Sequence, residues 1–412
     1  MKLKMVRGKI SRKLVSDSIL NIIASSVPIL FLQFIVLPIV GRQLGEQDYG
    51  LAVTIISLST LFSLPFGSVL NNIRLLLNDE YQINKSIGDF NILLAASIII
   101  NSILMVVGTI YYEEHFSILN IIFVALFSCL NIIREYLIVS FRIIINYKAI
   151  LINNLILAIG YLVGLVMFIV TGYWQLIFIF GASFSLLYII NKNNLINEKF
   201  AMTHLFKGTL YKSIILFFSV FMKTIITYAD KLLLFPLIGP AAVSYYYSAT
   251  IVGKFISMVT TPISGVLLSY LTKMERIRTR DFVAIITITT IVATFGYFIV
   301  ILISEPILTL LYPKWADRSL ELIYITTATA LIGVISSIIQ PFQLRFNDIK
   351  WQFIINLVNV LLYVICTILF YREYGLIGFC WAMLISSIVK LLMMIGLFIL
   401  DNEKRNRLKL QS

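Results

Sequence analysis

Apolar stretches long enough to cross a hydrocarbon core of roughly 30 Å recur from one end of this 412-residue chain to the other. They lie near 18–40, 51–73, 91–112, 116–140, 149–170, 175–190, 213–238, 241–270, 282–304, 322–344, 351–370 and 375–400. Inside lipid every backbone N–H and C=O must be bonded within the protein, so such stretches become helices or strands of a closed barrel. Barrel strands alternate over about ten residues and do not form continuous apolar runs. The chain is therefore read as an all-α integral membrane protein with twelve transmembrane helices. Its 59% hydrophobic and 13% charged residues agree, since soluble domains carry about 25% charged residues. The opening "MKLKMVRGKISRKL" is too basic, and the following apolar run too long, for a cleavable signal peptide.

Cations set the expected orientation. With a cytoplasmic N-terminus, inner segments hold 24 of the 33 Lys and Arg residues. Outer loops hold four (Arg42, Lys314, Arg318, Arg372) and the spans five (Arg134, Lys223, Lys231, Lys254, Lys390). That bias satisfies the positive-inside rule and puts both termini in the cytoplasm of a multi-pass protein. The net charge of +13 then reflects topology and anionic lipid, and implies no nucleic acid. Cys129, Cys366 and Cys380 all fall within spans and imply no disulfide framework. His115 and His204 are isolated, read as solvated loop residues, and no metal site or cofactor is expected.

The longest hydrophilic connection, "NKNNLINEKFAMTHLFKGTLYK" (191–212), separates six spans from six. The expected division is 1–206 and 207–412, one six-helix bundle each, around a central cavity. The loops are mostly short and no soluble domain is expected, which argues against an ATP-driven pump or a glycosyltransferase with a cytoplasmic catalytic domain. Glu113-Glu114 is the only acidic cluster expected outside and has no basic neighbour, so no enzyme activity is expected. The halves resemble one another. "RQLGEQDYGLAVTIISLSTLFSLP" (42–65) aligns with "PLIGPAAVSYYYSATIVGKFISMVTTP" (236–262), placing Gly45 on Gly239. "TGYWQLIFIFGASFSLL" (171–187) is likewise similar to "REYGLIGFCWAMLISSI" (372–388). Parallel repeats of this kind are one known transporter plan.

"GRQLGEQDYG" after the first span resembles the R-x-L-G-x-x-x-Y-G signature of polysaccharide-repeat-unit flippases, in the multidrug/oligosaccharidyl-lipid/polysaccharide (MOP) superfamily. "DKLLLFPLIGPAAVSYYYSA" (230–249) and "YGLIGFCWAMLISS" (374–387) resemble that family's stretches after spans seven and eleven. The resemblance covers nearly the whole chain. It implies a MOP/MATE-like fold and a flippase of the bacterial plasma (inner) membrane. The cargo it implies is an undecaprenyl-pyrophosphate-linked oligosaccharide, moved from the inner to the outer leaflet for O-antigen, capsule or a similar polymer. A polymerase and glycosyltransferases are then prospective partners, and a proton or sodium gradient a prospective energy source. The alternative is an ion-coupled multidrug or metabolite exporter of the same superfamily. Against it, no acidic residue lies within the first two spans beyond Asp17 at the inner edge.

Charges within spans point to the site. Ser219, Lys223, Thr227 and Asp230 follow i, i+4, i+8 and i+11 and share one helix face. Tyr247, Thr250, Lys254, Ser257 and Thr261 form a stripe in span eight. Thr326, Thr329, Gly333, Ser336 and Gln340 form another in span ten. Polar stripes inside a membrane are expected to line a wetted cavity. At about 1.5 Å per residue, Lys223 and Lys254 fall near mid-span. Each mid-span charge costs on the order of 2.5–3.5 kcal/mol. Asp230 can balance only one lysine, and the surplus suits a pyrophosphate. Lys231 points off the shared face and is expected to snorkel to the outer interface. Lys390 is read as snorkelling inward or serving the cavity. Arg134 with Glu135, and Arg42, are interfacial anchors or gates. Pro28, Pro38, Pro65, Pro236, Pro262 and Pro341 are candidate bends.

Overall fold

The computed structural model describes residues 20, 22–84, 88–113, 117–193, 195–271, 274, 277–347 and 349–410. Asp17, Glu114 and His115 lie outside the described residues, as do the side chains of Lys254, Ser257, Thr261 and Pro262.

Described residues outside the turns are helical, as backbone confined to lipid must be. In chain order the helices are α1 (22–44), α2 (46–83), α3 (Asp89–Tyr112), α4 (Ile118–Leu137), α5 (Tyr147–Thr171) and α6 (Gln175–Lys192). There follow α7 (Phe206–Ile238), α8 (Pro240–Leu271), α9 (Thr279–Leu311), α10 (Ala316–Phe346), α11 (349–374) and α12 (376–410). Among the described residues, nine helical stretches are long and apolar enough to cross a membrane. Two of these, Ile22–Ile83 and Lys350–Leu400, each hold two spans, broken at Gly45 and Gly375. With α8 the long helices among the described residues number twelve, as the apolar runs predict, and a short helix, Val139–Ile143, follows α4. In α1 a π-helical segment, Leu32–Val36, lies just before Pro38, whose missing N–H cannot continue α-helical bonding.

The repeat is visible in the turns. Gly45, Gly172, Gly239 and Gly375 join α1 to α2, α5 to α6, α7 to α8 and α11 to α12. Gly45 and Gly239 are the aligned positions of the first pair of similar stretches, and Gly172 and Gly375 fall within the second pair. All four have positive φ, between 53° and 111°, where a side chain is strained and glycine is not.

The chain forms two compact units, Met1–Pro236 and Leu237–Ser412, so α7 packs with the first. In that unit, buried polar pairs tie helices together. Asn101 donates to Ser128 (2.9 Å), Asn131 to Ser63 (2.9 Å), and Ser185 to Asn153 (2.8 Å). In lipid, where apolar surface gives helices little reason to associate, such bonds and close packing supply the attraction. A Cβ on Gly160 would lie 2.7 Å from Gly181 Cα, so the backbones of α5 and α6 are in direct contact. The second unit packs α8 most extensively against α10. The Ser264 hydroxyl donates to the Ser337 carbonyl (2.8 Å), and the Phe282 ring stacks 3.8 Å from Phe398 beneath α10.

Candidate functional site

α7 has two contrasting faces. On one, Phe217 packs 4.6 Å from Phe66 and Phe221 stacks 5.8 Å from Phe62, while Ser213 and Thr224 are buried. On the other, Ser219, Lys223 and Thr227 are all exposed, forming the stripe their spacing predicts. The Thr227 hydroxyl donates to the Lys223 carbonyl (3.0 Å). No ion pair of Lys223 occurs among the described residues. It stands about midway along a helix some 50 Å long at ~1.5 Å per residue.

Asp230 departs from that stripe. It is buried, and Lys231 Nζ donates to its Oδ1 at 2.6 Å. The Lys231 backbone N–H donates to the same oxygen (2.9 Å), and Nζ lies 5.8 Å from the centre of the Tyr228 ring. The snorkelling expected of Lys231 is therefore wrong, since it is only 4% exposed. Its four-carbon stem folds back onto the adjacent carboxylate, where the pairing offsets desolvation of both charges. Asp230 is thus paired with its sequence neighbour, and no ion pair joins it to Lys223 among the described residues.

In the second unit the stripes are only partly surface features. Thr250 is half-buried and donates to the Tyr247 carbonyl (2.8 Å). Gln340 and Gly333 are exposed, whereas Tyr247, Thr326 and Ser336 are buried. The Thr326 hydroxyl bonds to the carbonyls of Leu322 (3.0 Å) and, on α8, Ala249 (3.4 Å). The part of span ten's stripe at Thr326 therefore seals a helix contact and does not face water. Lys390 is half-buried in α12.

Arg134 pairs with Glu135 at the end of α4. The Glu135 backbone carbonyl accepts from Asn71 Nδ2 (2.7 Å), and Arg142 bonds the side-chain oxygens of Asn71 and Asn72. A Cβ on Gly67 would meet Glu135 Cβ at 2.5 Å, so α2 and α4 nearly touch here. Arg42 is exposed in the last turn of α1, and His204 is exposed in the connection before α7. At the opposite end of α3 and α4, Asn120 donates to Glu113 (2.9 Å), and burial pushes the Glu113 carboxyl above the ordinary glutamate range.

One cluster was not anticipated. α2 extends to Ile83, beyond the apolar run that ends near 73, and buries Asn71, Arg74, Asn78 and Tyr81 on one face. Arg74 holds Glu198 with two bonds (2.6 and 3.1 Å), and its guanidinium sits 4.8 Å from the centre of the Phe90 ring. Asp89, 0% exposed, accepts from the Tyr81 hydroxyl (2.7 Å), the Thr203 N–H (2.7 Å) and the Thr203 hydroxyl (2.6 Å). Tyr81 also bonds Thr209 (2.8 Å), and Asn91 donates to the Glu198 carbonyl (2.7 Å). The available signal was the i, i+3, i+7, i+10 spacing of those four α2 residues, helical periodicity carried by polar side chains.

No protein-family model matches the sequence, and no curated protein does. Solved structures do. A lipid II flippase MurJ in an inward closed conformation superposes with a TM-score of 0.71 at 16% identity, covering 94% of this chain and 89% of that one. An outward-facing multidrug resistance MATE family transporter of the MOP superfamily gives 0.63 at 11% identity, covering 95% and 96%. The Vibrio cholerae MATE transporter VcmN in the bent form gives 0.54 at 11% identity, covering 96% and 98%. The chain therefore has the membrane-transporter fold common to MurJ and the MATE proteins.

Proposed function

We propose that this chain is a flippase carrying undecaprenyl-pyrophosphate-linked oligosaccharide repeat units from the inner to the outer leaflet of a bacterial plasma membrane. The observation that carries the reading is Lys223, an exposed cation midway along α7 whose nearest acidic neighbour on the helix, Asp230, is already paired with Lys231. A lysine so placed offers a mobile ammonium group to a phosphate. It also repels the cationic compounds a drug exporter would handle. Likeness in fold to a structure described as a lipid II flippase supports a lipid-linked cargo. Lys254 on α8 is assigned the same role from its place in the sequence, and the halves 1–206 and 207–412 are proposed as the repeated bundles. Polymerase and glycosyltransferases act on either side of the step. In a strain with no second flippase, deletion of the gene should trap undecaprenyl-linked repeat units on the inner leaflet and deplete surface polymer. Normal polymer in that strain would refute the proposal.

We place both termini in the cytoplasm, a reading supported by the distribution of Lys and Arg along the sequence. Single cysteines at Gln47, Ser117 and Asp317, all exposed, should react with an impermeant thiol reagent on intact cells. One at the exposed Lys199 should react only after the membrane is opened. Labelling at Lys199 in intact cells would reverse the orientation.

A further inference from the structure

The hydrophilic segment 191–212 has the composition of a free linker, yet it is fastened to the N-terminal unit. Glu198 is gripped by Arg74, Thr203 by Asp89, and Thr209, in the first turn of α7, by Tyr81. Gly88 (φ 130°) lies so close beneath the segment that a Cβ there would be 2.5 Å from the Lys199 carbonyl. At the far end of α7 the Tyr112 hydroxyl donates to the Leu232 carbonyl (3.0 Å), and its ring stands edge-on to Phe235 at 5.2 Å. Between these ends, α7 meets α2 through the rings of Phe62, Phe66, Phe217 and Phe221. The apolar burial between these rings is non-directional and tolerates sliding along the helix axis more readily than a hydrogen bond does. Hydrogen bonds to fixed partners do not. A slip of one turn, about 5.4 Å, would move Lys223 well away from mid-span.

We propose that Arg74, Tyr81, Asp89, Glu198 and Thr209 form a clasp that, with the Tyr112–Leu232 bond at the other end, fixes the axial register of α7 on the N-terminal unit. They are positioning residues: they set the depth at which Lys223 is presented without touching the cargo. The depth argument rests on the transport reading above, whereas the clasp itself does not.

The test follows α7 directly. Tyr81→Phe and Thr209→Val each delete one hydroxyl group, and Asp89→Asn removes the charge. Each is combined with Thr224→Cys and, separately, with Ser213→Cys, both on the shielded face of α7. The purified full-length chain in detergent is treated with a small water-soluble methanethiosulfonate, and labelling rates are read. Cys380, buried in the second unit, and Cys129, beside Asn101 and Ser102 in the first, report any general loosening. Labelling at 213 and 224 should rise about tenfold or more as the local opening becomes easier, with Cys129 and Cys380 unchanged. Thr209→Ser, which keeps the hydroxyl, should match the parent, and transport per inserted molecule should fall in the three clasp variants. Shielding that persists at both positions, or a parallel rise at Cys129 and Cys380, overturns the clasp. Freed labelling with undiminished transport overturns the positioning role. If Lys223→Gln alone transports normally, the anion-stripe reading fails, and the labelling rates still decide the clasp.

Discussion

Lys223→Gln is expected to lower export of lipid-linked repeat units by roughly 10–100-fold, the effect of losing a charged hydrogen bond worth about 1.5–3 kcal/mol. Lys223→Arg should retain a substantial part, because the role is charge at a given depth and arginine also binds phosphate. Folding should be unaffected: Lys223 is exposed and has no ion pair among the described residues, so its removal strands no buried carboxylate. The measurement is surface polymer, with inner-leaflet intermediates, per unit of membrane-inserted protein. Undiminished export by Lys223→Gln at normal insertion would remove the anion-stripe assignment and leave the fold intact.

The second large effect concerns stability. Asp230→Asn should destabilise the protein by about 3–5 kcal/mol, because it leaves the Lys231 ammonium buried without its carboxylate. Lys231→Met should be damaging for the mirror-image reason. Combined, the two substitutions replace the pair with neutral groups and should recover most of the loss, as replaced buried ion pairs often do. Thermal unfolding of purified protein in detergent measures all three. Lys223→Gln combined with Asp230→Asn should show no rescue, since no ion pair joins the two among the described residues and effects at separated sites add. A double 230/231 variant no more stable than either single one would show that the pair is not the unit that matters.

Much of the fold is legible in the sequence because lipid leaves a helical segment few choices. Apolar length locates the twelve helices, and aligning Gly45 with Gly239 anticipates two turns that share positive φ. The stripe Ser219–Lys223–Thr227 is legible for a related reason, since 3.6 residues per turn fixes which residues share a face. The same geometry misleads at Lys231. Residues i and i+1 do not share a face, yet a long flexible stem reaches back to Asp230 where burial makes the alternative expensive. The exposure of Lys223 was legible from its place in the stripe, whereas burial against a neighbouring helix, as for Thr326, depends on contacts that periodicity along one helix does not encode. The inner cluster escaped notice because Arg74 and Tyr81 lie past the end of the apolar run. Their partners, Glu198 and Thr209, lie in a segment whose polar composition reads as solvent-exposed linker.

The order in which the chain is made matters for that cluster. The short glycine turns join helices next to each other in sequence, so a hairpin such as α5–α6 can assemble as soon as its second helix has left the ribosome. The bonds around Arg74 and Tyr81 cannot: their partners are 124 and 128 residues further along. Until residues 198 and 203 have been synthesised, Arg74 lacks the Glu198 carboxylate and Asp89 lacks the two bonds from Thr203, keeping the one from Tyr81. The N-terminal unit must therefore pass through a stage with its helices formed and this cluster incomplete. A membrane protease or chaperone that samples unpaired charge would find its substrate during that interval, and closure of the contacts would end it.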